Sequence, residues 1–219
     1  MLFLNQDQKI QEDIKIENIE NNLKSIINGF DTFENISNDD IEFIEKFNSD
    51  KHDIYGFPVI KLKIKENLYV LKPRKAEIDI KIMKLFNSIN NTSIKHKLGV
   101  YHIKSHKSLN FSLWDYINSS YTRMEECLRN KNSANTCIET FYKYNKEIKE
   151  NFYFLETIAK KIGLTDLHCD NVIFRDELVY VIDLEAITLD SEIHTGLGGK
   201  QISIDDNIEN LINQFKDDI

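Results

Sequence analysis

Two apolar runs in the last third of the chain, Val172-Ile173-Phe174 and Val179-Tyr180-Val181-Ile182, are separated by the polar Arg175-Asp176-Glu177. Short runs of β-branched and aromatic residues broken by a polar turn predict a β-hairpin. The residues flanking this hairpin constrain the chain most. Asp166 and Asn171 stand just before its first strand, and Asp183 ends its second. A carboxylate, an amide and a second carboxylate are thereby gathered around one end of a two-stranded ribbon.

Asp166 and Asn171 are five positions apart, the spacing of the base and the metal-binding amide in a kinase catalytic loop. Phosphoryl transfer asks the protein to hold the γ-phosphate in line, neutralise its charge and orient the acceptor hydroxyl. Asn171 and Asp183 offer the hard oxygen ligands that Mg2+ prefers, and Asp166 is the candidate base. Lys72, at the end of an apolar run Leu68–Leu71, is the candidate cation for nucleotide phosphates, with Arg74 and Lys75 as neighbours able to serve instead. Taken singly, each of these has an ordinary reading. Asp166 and Asn171 suit a turn after Gly163, Asp183 suits a strand end, and His168 is a polar site residue or a packing histidine. Their order and context together favour the site. The hairpin before Lys72 holds no Gly-rich loop, since Gly56 stands alone, which departs from the ordinary protein-kinase pattern.

The chain has 219 residues, enough to bury a sizeable core in one domain or a compact two-lobed one. Its net charge of −8 argues against a nucleic-acid partner. No apolar run is long enough to span a bilayer, and Met1-Leu2-Phe3-Leu4 gives way at once to polar residues, so no signal peptide is expected. Cys127, Cys137 and Cys169 form an odd, unpaired set, which points to a reducing cytoplasm rather than a disulfide frame or zinc site.

Elsewhere the patterning predicts a helix over residues 8–28, closed by Gly29, and a helix capped by Ser37–Asp40 with Ile41, Ile44 and Phe47 on one face. Val59–Ile64 and Leu68–Leu71 read as a second hairpin, residues 76–89 as a helix, and Gly99–Ile103 as a strand. Leu113–Ile117, with the single Trp, reads as a hinge and the start of the next helix. A long amphipathic helix is expected from Glu139 to Ile162, on Phe141, Ile148, Phe152, Leu155, Ile158 and Ile162, and a last one from Asp205 to Phe215.

Thr165-Asp-Leu-His-Cys-Asp-Asn171 with Val181-Ile-Asp-Leu-Glu185 closely resembles the kinase-like dehydratase domain of class II lanthipeptide synthetases. Tyr69-Val-Leu-Lys-Pro-Arg74, Ser49-Asp50-Lys51-His52 and Gly56-Phe57-Pro58-Val59 are similar to further segments of that family. The loop is also similar to that of aminoglycoside phosphotransferases. The resemblance spans roughly residues 49–187. It implies an α+β, two-lobed fold related to protein and lipid kinases, with a small β-rich N-lobe, a mostly helical C-lobe and extra N-terminal helices. The expected division is a helical segment 1–48, an N-lobe 49–104 and a C-lobe 105–219. By the same resemblance, Lys72 and Arg74 bind ATP phosphates, and Asp50 and His52 serve phosphoryl transfer from the small lobe. Asp166 and His168 act in the catalytic loop, and Asn171 and Asp183 hold Mg2+.

The expected activity is ATP- and Mg2+-dependent phosphorylation of Ser or Thr hydroxyls of a peptide or protein, in the cytoplasm. The residues after Glu185 are too few for the family's phosphate-elimination subdomain, and no cyclase is expected. Transfer of AMP, phosphorylation of a small molecule, and a nucleotide-binding pseudokinase that grips a partner remain open as alternatives.

Overall fold

In a computed structural model of the chain, the structure describes residues 19–33, 36–47, 57–120, 146–165, 167, 171–184, 187–188 and 201–219. The fold is mixed α+β, and the chain divides into two compact units, residues 1–77 with 101–116 and residues 78–100 with 117–219.

The first unit is built on a five-stranded antiparallel sheet in the order β1-β2-β3-β5-β4. Its strands are β1 (Ile41–Lys46), β2 (Ile60–Ile64), β3 (Asn67–Lys72), β4 (Ile103–Ser105) and β5 (Ser112–Asp115). Side chains alternate across a strand, and the register obeys that rule. Ile60 faces Leu71 and Leu62 faces Tyr69, while Leu71 faces Leu113. These residues form one apolar face, buried against Leu23, Ile26, Ile27 and Phe30 from helix α1 (Ile19–Asn28) and the residues after it. The opposite face carries Lys61, Val70, Lys72, Ser112 and Trp114.

The end of α1 is held by close approach. The His106 ring lies so near Gly29 that an added Cβ would fall 1.8 Å from its Nε2. The Lys107 N–H donates to the Gly29 carbonyl at 3.1 Å. His106 Nδ1 accepts from the backbone N–H of Ser108 and Leu109 at 3.1 and 2.9 Å, which assigns the ring proton to Nε2. Burial holds this imidazole below its ordinary value, an effect partly offset by the Ile26 carbonyl.

The second unit contains α2 (Glu77–Thr92), α3 (Lys146–Ile162), the hairpin β6 (Val172–Arg175) and β7 (Leu178–Val181), and α4 (Asp206–Asp217). Helix α3 runs through its middle. Residues 151–159 are all buried, so the helix is covered well beyond the apolar stripe of its sequence. Phe152 stacks on Phe174 of β6 with ring centroids 6.2 Å apart. Asp205 caps α4, its side chain accepting from the Ile208 N–H at 2.9 Å.

Both expected hairpins and the helices at 77–92, 146–162 and 206–217 are present. Three expectations need correction. The Ser37–Asp40 cap exists as a single 3-10 turn over Asn38–Asp40, with the Asp40 carboxylate accepting from the Ser37 N–H and O–H. The turn leads into strand β1 rather than a helix. Ile41 and Phe43 also satisfy a period of two, and pairing of Ile41 with Ile64 and Phe43 with Leu62 decides between the periods. Leu113 and Trp114 lie in strand β5, and no helix begins in residues 116–120. The strand expected from Gly99 begins at Ile103; Gly99 itself instead bonds to β7. Residues 8–18 and 139–145 of the predicted helices lie outside the described residues.

Candidate active site

In the second unit, the hairpin register pairs Val172 with Val181. One step beyond, the Ile182 N–H donates to the Asn171 carbonyl at 2.9 Å. Asn171 therefore sits opposite Ile182 at the open end of the ribbon, with Asp183 the next residue along. Asn171 is buried and Asp183 half-buried. Asp183 lies two residues past the end of β7, rather than at the strand end itself. An amide oxygen and a carboxylate at neighbouring positions of one ribbon end are a hard-oxygen donor pair, and that chemistry fits Mg2+.

The base of this excursion is closed. The chain leaving α3 and the chain leaving Asp183 run side by side, bridged at Leu164 and Ile187. The Thr188 N–H donates to the Gly163 carbonyl at 2.7 Å. Gly163 has φ +83°, and a Cβ there would lie 1.8 Å from the Thr188 carbonyl oxygen. Only glycine combines that left-handed backbone with so close a crossing. Leu167 and Leu184, on the two flanking segments, are both fully buried.

Three further contacts fix the hairpin. Asn151 of α3 is buried, and its side chain accepts from the Lys97 N–H and donates to the Glu177 carbonyl, each at 2.9 Å. The Ser120 N–H donates to the Phe174 carbonyl at 2.9 Å, and the Gly99 N–H to the Val179 carbonyl at 2.9 Å. Gly99 passes against the Tyr180 ring, leaving no room for a Cβ. Burial raises the pKa of that tyrosine. The segment carrying Lys97 and Gly99 is in turn tied to α2, because the Asn90 side chain both accepts from the Leu98 N–H and donates to the Leu98 carbonyl.

In the first unit, Lys72 is the last residue of β3 and lies opposite Ser112 of β5. Its Nζ stands 3.9 Å from the centroid of the Trp114 ring, and the Arg74 guanidinium carbon stands 5.0 Å from the same centroid. The Trp114 Nε1–H donates to Ser112 Oγ at 2.8 Å, and both residues are buried. Arg74 also donates to the Lys75 carbonyl at 3.2 Å.

Of the residues singled out in the sequence, Asn171 and Asp183 thus share one end of the hairpin in the second unit, and Lys72 and Arg74 share one aromatic ring in the first. Asp166, His168, Asp50 and His52 lie outside the described residues. Asn151, Ser112 and the cation-bearing role of Trp114 were not read from the sequence.

Residues 11–215 match the family model described as "Domain of unknown function (DUF4135)". The chain belongs to the DUF4135 family. No curated protein matches it. The DUF4135 match runs from ahead of α1 to within α4, so it takes in both units and all four described candidate residues. No helix among the described residues is long and apolar enough to cross a membrane.

Proposed function

We propose that this chain is an ATP- and Mg2+-dependent phosphotransferase acting on Ser or Thr hydroxyls of a peptide or protein, comparable to the kinase half of a class II lanthipeptide dehydratase. The observation that carries the reading is the open end of the β6–β7 hairpin. There Asn171 and Asp183 adjoin one another beside a loop whose two ends are tied together at Gly163 and Thr188. The motif resemblance from Asp50 to Asp183 supports the same reading. So does the position of Lys72 at the end of a central strand. In this reading the two units are the small and large lobes of a kinase-like fold.

Asn171 and Asp183 would hold Mg2+, which when bound offsets the negative charge of the phosphates. Lys72 and Arg74 bind the phosphate oxygens of ATP. Asp166 orients the acceptor hydroxyl and takes its proton as the acceptor oxygen bonds to the γ-phosphorus. The bond from that phosphorus to the β–γ bridging oxygen breaks, and ADP leaves.

The test is intact-mass analysis of the full chain with Mg-ATP, alone and with added lysate proteins, beside an Asp183→Ala control. The expected result is a gain of one phosphate mass on an acceptor, reduced on the order of 10³-fold in the variant. A gain of AMP mass would replace phosphoryl by adenylyl transfer. Absence of both transfer and ATP consumption with every acceptor would sink the enzyme reading in favour of a binding module.

A further inference from the structure

The only tryptophan of the chain lies beneath both candidate phosphate-binding cations, Lys72 and Arg74. We propose that Trp114 is a positioning residue for polyphosphate binding, its indole holding Lys72 and Arg74 together as one anion-binding pair. This rests on the phosphotransferase reading, in which those two cations meet the phosphates of ATP.

Two positive side chains gathered at one point repel each other, and each loses rotamer freedom in being held there. An indole face carries negative quadrupolar charge, the strongest such face among the aromatic side chains, and attracts both cations. Here the Lys72 ammonium is 3.9 Å and the Arg74 guanidinium carbon 5.0 Å from the same ring centroid. The ring itself has little latitude. It is 2% exposed, and its Nε1–H is bonded to Ser112 Oγ, which belongs to a residue 0% exposed. Tyr101 packs against it with centroids 5.9 Å apart. Ser112 is also the cross-strand partner of Lys72. One hydrogen bond therefore fixes the ring in register with the strand that delivers the lysine.

A second cation–aromatic pair on the same sheet face gives the contrast. Lys61 lies 4.0 Å from the Tyr116 centroid. Among the described residues that ring meets a single cation. Trp114 gathers two. A pair of cations on one platform suits a ligand whose negative charges also sit on adjacent groups, as in a triphosphate.

The first experiment measures Mg-ATP and inorganic tripolyphosphate binding to the full chain by calorimetry, for wild type, Trp114→Phe, Trp114→Leu and Lys72→Met, with melting curves for each. Trp114→Leu is expected to weaken binding about 5- to 30-fold, and Trp114→Phe, which restores an aromatic face, by no more than about threefold. Weakening of both ligands places the effect on the phosphates; weakening of Mg-ATP alone would move it to the nucleoside and overturn the proposal. A folded Trp114→Leu that binds as wild type, while Lys72→Met does not, also overturns it and leaves the phosphotransferase reading standing. Unchanged binding in Lys72→Met removes the reading on which it rests. If Trp114→Leu does not fold, wild-type emission decides. Trp114 is the sole indole, so its fluorescence must change saturably with tripolyphosphate, and a flat titration overturns the proposal.

Discussion

The two units hold their candidate side chains by different physics. In the sheet unit, Lys72 and Arg74 rest on an aromatic face, and the far side of the same sheet is an apolar layer sealed by α1 and the His106 loop. In the hairpin unit, Asn171 and Asp183 are positioned through main-chain carbonyl and amide groups gathered by Asn151, Ser120 and Gly163. The first arrangement depends on shape and resists added volume. The second depends on complete pairing of buried polar groups, and is most sensitive to removal of a partner. A cation at the end of a strand tolerates some play, because its attraction is long-ranged. Two oxygens sharing one small ion, as the proposed function asks of Asn171 and Asp183, would tolerate less, and directional bonds suit that demand.

The largest effect that would expose this difference is at the closed base of the hairpin. Gly163→Ala must escape a left-handed backbone and displace the Thr188 carbonyl, at an expected cost of about 3–5 kcal/mol from backbone strain and overpacking together. Urea unfolding checks it; a loss under about 1 kcal/mol would mean the clamp yields freely.

Next comes Asn151→Leu, which keeps approximate size but strands the Lys97 N–H and the Glu177 carbonyl. Each such group costs about 1–3 kcal/mol, so a total of about 2–6 kcal/mol is expected. An unchanged denaturation midpoint would show that water replaces the amide. In the sheet unit the matching change is Gly29→Ala, which pushes into the His106 ring and should cost about 1–3 kcal/mol by overpacking. Pairing it with His106→Ala should recover part of that loss, whereas strict additivity would argue against the contact.

The smallest effect is pH dependence. Burial is the main cause of the lowered pKa of both His106 and His96. A histidine depressed in the folded state leaves stability intact above its ordinary value in the unfolded chain, near 6.5. As pH falls below that value the unfolded chain takes up the proton first, so stability declines until the folded pKa is passed. Denaturant midpoints measured from about pH 7.5 to about pH 5.5 should fall for the wild type and fall less for His106→Gln. Parallel profiles for the two proteins would exclude His106 as a source.

Both hairpins were legible because their apolar runs are short, β-branched and broken by polar turns, a pattern helices do not share. The positions of Lys72, Asn171 and Asp183 came with those strands. Strand β1 was not legible, since Ile41, Phe43, Ile44 and Phe47 fit two periods, and only pairing with β2 chooses one. Strand β5 was hidden for a related reason: Leu113 and Trp114 are buried on opposite faces of the sheet, so no alternation marks them. Asn151 left no trace in the sequence. A lone asparagine on a helix reads as a solvated residue, and its partners are main-chain groups at Lys97 and Glu177, which carry no side-chain signature.

The bond between Gly163 and Thr188 has one more consequence. A chain that departs from a helix and returns to bond at its point of departure makes a closed excursion. Lengthening such an excursion costs little, about 0.6 kcal/mol of loop-closure entropy for each doubling. Residues added at the Arg175–Glu177 turn would enlarge it without moving the place where it closes, at the separate cost of shifting the Glu177 carbonyl from Asn151. The hairpin is in this sense a cartridge on a fixed base, with its tip latched to α3 through Asn151, and its amides should exchange with solvent as one unit when both ties open.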